Sequence, residues 1–134
     1  MMNHYIVLKS SNGKYLSISP NAKLICDKND IKEAEVIIMK YEGRYVTLKL
    51  KSGKFISVSM NGTLEIDKDK AGNNERFEIE WLNDDWFALK SNSGNYFSAQ
   101  KDGKVEAIQK KIGVNEKFSL NVQKIESLIE FLNF

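Results

Sequence analysis

Cysteine, histidine and arginine are scarce in this chain. Of 134 residues one is cysteine (Cys26), one is histidine (His4) and two are arginine (Arg44 and Arg76). A lone cysteine forms no intrachain disulfide, so a small buried thiol in a reducing compartment is expected. One histidine with no cysteine at ligand spacing leaves a zinc site without support. It also leaves Ser/His/Asp catalysis resting on a side chain near a chain end. The expectation is therefore no metal, no cofactor and no enzymatic reaction. Arginine is the side chain whose planar fork reads phosphates and guanine edges, whereas lysine is a hydrated point charge. With a net charge of only +2, the chain has too little field to steer a polyanion. Nucleic acid is not an expected partner.

Long apolar runs are missing as well, and no stretch approaches the ~20 residues of a membrane span. The opening Met1-Met2-Asn3-His4-Tyr5-Ile6 has neither the charged nor the apolar region of a signal peptide. Met2 stands where a myristoylated glycine would have to be. No membrane association is expected, and a cytoplasmic location is.

What the chain does have is a phrase written three times. It reads Asn12-Gly13-Lys14-Tyr15-Leu16-Ser17, Ser52-Gly53-Lys54-Phe55-Ile56-Ser57 and Ser93-Gly94-Asn95-Tyr96-Phe97-Ser98, at spacings of 40 and 41 residues. The second copy slides onto the third without a gap, placing Leu48 on Leu89, Gly62 on Gly103, Glu75 on Glu116 and Phe77 on Phe118. The first copy follows the second at offset 40 from Leu8 to Lys28, and one extra residue brings Val36 onto Phe77. A period in this range fixes architecture before any single residue does.

Within each repeat the pattern is that of four short strands. Val46, Leu48 and Leu50 alternate with Thr47, Lys49 and Lys51, the period of a half-buried strand with the second set facing water. The matching segments are Tyr5–Lys9 and Trp86–Lys90. A glycine turn leads to a second strand (Tyr15–Ser19, Phe55–Ser59, Tyr96–Gln100). Another turn, Asn61-Gly62 or Asp102-Gly103 in the later copies, leads to a third (Lys23–Cys26, Thr63–Ile66, Lys104–Ile108). A polar stretch precedes the fourth (Glu35–Met39, Arg76–Trp81, Lys117–Val122). No single repeat is large enough to bury its own apolar face, so three must share one core. Twelve strands in three fours about a pseudo-threefold axis make an all-β protein, a β-trefoil. The trefoil is expected over residues 1–122, with repeats at about 5–43, 44–83 and 84–122. Leu8, Leu48, Leu89, Leu16, Ile56, Phe97, Leu24, Leu64 and Val105 are its expected core. Ile125, Leu128, Ile129 and Leu132 fall at helical spacing, which predicts a short amphipathic helical tail over residues 123–134, packed on the domain.

The pattern Leu-Lys-x(3)-Gly-Lys-Tyr/Phe-hydrophobic-Ser, followed by Gly-x-Asn-Glu-x-Phe, is fullest in Leu48–Ser57 with Gly72–Ile79 and in Leu89–Ser98 with Gly113–Leu120. It resembles the fascin and hisactophilin family of actin-binding β-trefoils, over nearly 120 residues. The Gln-x-Trp of ricin-type lectins is absent, because Arg76-Phe77-Glu78 and Lys117-Phe118-Ser119 occupy its place. The histidine-based pH switch of hisactophilin does not transfer to a chain with one histidine.

The resemblance implies a non-enzymatic actin-binding module, a monomer that decorates or crosslinks actin filaments. A symmetric aromatic such as Tyr15, Phe55 or Tyr96 reads as scaffold, so function is expected where symmetry breaks. Lys49, Lys51 and Lys54 surround one hairpin whose siblings carry Ser10-Ser11 and Asn92-Ser93. Lys110, Lys111 and Lys117 form a second basic cluster. Both suit the acidic surface of an actin filament. The alternative is carbohydrate binding in pockets using Tyr41, Trp81 or Trp86. Asp84-Asp85, between the two tryptophans, reads as a solvated turn, because neighbouring side chains point apart. Asp67, Asp69, Gly72 and Glu78 match four positions of a calcium loop, but Ala71 breaks the pattern and strands flank it.

Overall fold

The computed structural model describes residues 3–121; the expected tail helix lies outside them. The described residues run through twelve strands: β1 Asn3–Ser10, β2 Tyr15–Ile18, β3 Leu24–Lys28, β4 Ile37–Glu42, β5 Tyr45–Leu50 and β6 Phe55–Val58. There follow β7 Leu64–Lys68, β8 Phe77–Trp81, β9 Phe87–Lys90, β10 Tyr96–Ala99, β11 Val105–Gln109 and β12 Phe118–Asn121. Three single 3-10 turns, Ile31–Glu33, Asn73–Glu75 and Val114–Glu116, interrupt the polar stretch before each fourth strand.

All pairings are antiparallel. The first and fourth strands of each repeat close a six-stranded barrel, β1-β4-β5-β8-β9-β12 and back to β1. The second and third strands form three hairpins, β2-β3, β6-β7 and β10-β11. These cap one end of the barrel, where their third strands meet through the bridges Ile25↔Lys104 and Thr63↔Glu106. Closure leaves the barrel without an edge to recruit another chain.

The apolar side chains of both layers pool into one core. Leu8, Leu48 and Leu89 lie in a single cluster with Leu16, Ile56, Phe97, Leu24, Leu64 and Val105. Leu48 is fully enclosed, so truncation to alanine is expected to cost about 2–5 kcal/mol.

Two expectations are corrected. Equivalent barrel pairs are Ile6↔Ile37, Val46↔Phe77 and Phe87↔Phe118. Ile37, not Val36, therefore takes the place of Phe77, and no extra residue is needed. The first repeat's 3-10 turn starts sooner after its third strand and compensates with a longer link to its fourth. Second, Thr47 does not face water: it is 2% exposed, and its counterparts Val7 and Ala88 are fully buried. The outer wall of the barrel is covered by the loops that pack on it, as Ala34, Val36 and Ile31 pack over Val7 and Tyr15.

Symmetry also breaks at the cap. Gly62 and Gly103 have positive φ, and their carbonyls accept hydrogen bonds from Ala107 N and Cys26 N, both at 2.8 Å. A Cβ on Gly62 would stand 2.7 Å from the Ala107 carbonyl oxygen, a backbone approach that only glycine permits. The first repeat has Ala22 at this place, at φ 62.

Candidate functional site

The lysines named from the sequence do not form one patch. Lys54 is spent within its own repeat, its Nζ lying 2.5 Å from Asp69. The same two positions hold Lys14 hydrogen-bonded to Asn29 in the first repeat and Asn95 and Lys110 in the third. Lys51 is exposed at the turn after β5. Lys49 lies along the outer barrel wall with its ammonium 5.6 Å from the Phe55 ring centroid. Lys9 over Tyr15 and Lys90 over Tyr96 repeat that cation–π contact, so it belongs to the scaffold. Lys110 and Lys111 stand exposed after β11. Lys117, half-buried before β12, offers its carbonyl to Ser11 N at 3.1 Å. The two clusters belong to different repeats, so the pseudo-threefold axis sets them apart.

A feature no lysine count reveals is a groove at the seam of the first two repeats, about 280 Å³ in volume. It is lined by Ile38, Lys40, Glu42, Thr47, Lys49, Phe55 and Ala71. Register explains who meets there: Ile38 lies opposite Lys49, Lys40 opposite Thr47, and Glu42 opposite Tyr45. Glu42 is engaged by Arg76, with Nε 3.3 Å away. At the next seam Glu78 lies opposite Lys90 and Glu80 opposite Ala88. There the Tyr96 hydroxyl donates to Glu80 at 2.6 Å. This hydrogen bond, with burial, pushes the Tyr96 phenol up to about 12. Phe55 has no hydroxyl, and Lys40 stands where Glu80 does, so the first seam has no such clasp.

The tryptophans are brought together. Trp81, Asp84, Asp85, Trp86, Ser119 and Leu120 line a pocket of about 410 Å³ on the β8–β9 loop. Asn83 holds that loop in shape, its Oδ1 accepting from Asp85 N at 2.8 Å and Trp86 N at 3.0 Å. Trp81 is 48% exposed and rests against Phe87 with ring centroids 5.1 Å apart. Both aspartates are exposed on this loop, as a solvated turn requires, and they also line the pocket. Tyr41 is not among its lining residues; it packs on the core and meets His4 edge-on at 5.6 Å.

Buried polar groups are structural. Ser57 Oγ donates to Glu75 at 2.6 Å, and the same carboxylate accepts from Gly72 N at 2.7 Å. Glu116 and Gly113 repeat the second contact. Burial pushes the Cys26 thiol up, and its Sγ donates to the Lys14 carbonyl. Among the described residues no group of three or more His, Cys, Asp or Glu is placed to hold a metal ion. None of the described helices is long and apolar enough to cross a membrane.

A family model, the Fascin domain, matches residues 22–120, well over half of the chain. The chain belongs to the fascin family. No curated protein matches this fascin-family chain. Among solved structures it is similar to a designed threefold-symmetric protein, ThreeFoil, with a TM-score of 0.74 and 18% identity. The match covers 87% of this chain and 96% of that one. At that identity the likeness speaks for the trefoil fold alone. What sequence reasoning missed in this fascin domain is the seam groove, above all Lys40, Phe55 and Ala71. The available signals were breaks in otherwise repeated sets, Tyr15, Phe55 and Tyr96 and again Ile31, Ala71 and Ile112, at offsets of 40 and 41.

Proposed function

We propose that this protein is a non-enzymatic, cytoplasmic binding module that attaches to actin filaments through lysines of its second and third repeats. Membership of the fascin family carries the reading. The placement of Lys49, Lys51, Lys110 and Lys111 on the outer wall and loops supplies positive charge of the kind an acidic filament surface attracts. Lys54 contributes less, because Asp69 neutralises it. Two basic clusters on separate repeats are the minimum a monomer needs to bridge two filaments. The test is co-sedimentation with filamentous actin, comparing wild type with a Lys49→Glu/Lys51→Glu variant and a Lys110→Glu/Lys111→Glu variant. Each double variant is expected to weaken pelleting, and filament bundling should need both clusters. Equal pelleting by all three proteins would refute the assignment of the clusters.

A second reading is favoured by one observation, the pocket that joins Trp81 and Trp86 to Asp84 and Asp85. An apolar ring face beside carboxylate acceptors suits a sugar, whose hydroxyls donate while its C–H face stacks. A glycan array on which wild type binds and Trp81→Ala does not would establish it; silence of the wild type would remove it.

A further inference from the structure

We propose that the groove between the first and second repeats receives an acidic side chain of a protein partner together with an apolar neighbour in the partner's chain. The inference rests on the filament-binding reading for the kind of partner, and on the groove alone for the chemistry.

Three substitutions create this opening, and all three fall at the same seam. Phe55 replaces the tyrosine of its siblings, so the hydroxyl that clasps Glu80 at the next seam is missing. Lys40 takes the place of that glutamate, as the register opposite Thr47 and Ala88 shows. Ala71 stands where the third repeat has Ile112, directly before the glycine N-cap of the 3-10 turn; by sequence offset it also falls on Ile31, the first residue of the first repeat's turn. In the first repeat Ile31 packs over Val7 and Tyr15 and closes that surface. In the second, Ala71 leaves the corresponding wall, Thr47 and Phe55, lining a groove.

The lining selects the occupant. Lys40 and Lys49 are diagonal neighbours across the β4–β5 ladder, so two like charges sit side by side. Neither is in a salt bridge among the described residues. The one acid in the groove, Glu42, is already held by Arg76. A carboxylate set between the two ammonium groups relieves their repulsion and makes charge-assisted hydrogen bonds. Ile38 and Phe55 supply apolar wall beside it. The volume, about 280 Å³, lies below the ~300–1,000 Å³ of sites for drug-sized ligands. It suits one or two residues of a chain better than a cofactor.

The experiment has two arms on the full chain. In the first, backbone amide shifts of the 15N-labelled protein are followed during titration with a capped Leu-Glu-Leu-Glu peptide, with Leu-Lys-Leu-Lys as control. Shifts confined to Lys40, Thr47, Lys49, Phe55 and Ala71, seen with the acidic peptide only, are expected. Ala71→Ile restores the residue of the sister repeats and fills the groove without altering charge, and it should abolish them. Lys40→Gln should weaken binding about tenfold, the loss of one charge-assisted contact. Shifts that persist in Ala71→Ile, or that spread over all exposed lysines, overturn the proposal. The second arm is actin co-sedimentation of wild type and Ala71→Ile. Equal pelleting of the two overturns the groove's role and leaves filament binding standing. Groove-confined peptide shifts with no pelleting of wild type support the site and remove actin as the partner.

Discussion

Replacing one serine by alanine in two different repeats should have opposite effects on stability. Ser17 and Ser57 occupy the same place in the repeated phrase and are 4% and 2% exposed. Ser57 Oγ donates to Glu75 at 2.6 Å, whereas the Ser17 hydroxyl has no hydrogen-bond partner among the described residues. The difference lies in the 3-10 turn. Glu75 is the third residue of its turn and folds inward onto Gly72 N. In the first repeat the third residue, Glu33, is exposed, and that turn is capped by Asp30, which accepts from Lys32 N. A buried hydrogen bond to a charged group contributes about 1.5–3 kcal/mol, so Ser57→Ala should destabilise by that amount. A buried hydroxyl with no partner is itself a penalty, so Ser17→Ala should be neutral or stabilise by about 1 kcal/mol. At roughly 3–5 °C per kcal/mol for a chain of this size, the two variants should melt on opposite sides of wild type or nearly so. Urea unfolding with a common m-value measures both. Equal destabilisation by the two alanines would refute the reasoning, because burial alone would then set the cost.

Three further predictions follow from other parts of the molecule. Gly62→Ala brings a Cβ to 2.6 Å from Ile108 Cγ2 and 2.7 Å from a carbonyl oxygen, adding overpacking of about 1–3 kcal/mol to the positive-φ penalty. Gly53→Ala, also at positive φ but with nothing within 4 Å, should cost only about 1–2 kcal/mol in the same urea assay. Spectrophotometric titration should find one tyrosine whose phenol ionises near 12 and should lose it in Tyr96→Phe. Because that pKa is raised above the ordinary 10, the stability it contributes is complete below pH 10 and disappears as pH rises through 12. Cys26, buried and with its thiol pushed up, should react with a thiol reagent only after unfolding by urea; fast reaction of the native protein would contradict its placement.

The trefoil was legible because its determinants are local and repeated. Leu48 and Leu89 announce themselves by alternation and period, and Gly62 and Gly103 by the turn chemistry that positive φ demands. Register in the first repeat was not legible. Val36 and Ile37 are both apolar and both buried, and only pairing with Ile6 decides between them. Thr47 was misread for a related reason: alternation separates the two faces of a strand, but it does not reveal that a loop covers the outer one. The lysines were visible as a cluster, yet the salt bridge that neutralises Lys54 comes from Asp69, fifteen positions later. The groove was hardest, since Lys40, Phe55 and Ala71 are far apart in the chain and only the strand register brings them to one seam.

Co-sedimentation with actin filaments at low ionic strength tests the functional assignment most directly, because charge contacts are strongest there. The fascin-family reading predicts that the protein pellets with filaments and returns to the supernatant as salt is raised. A protein that stays in solution at the lowest salt, while remaining folded by its circular dichroism, would contradict it.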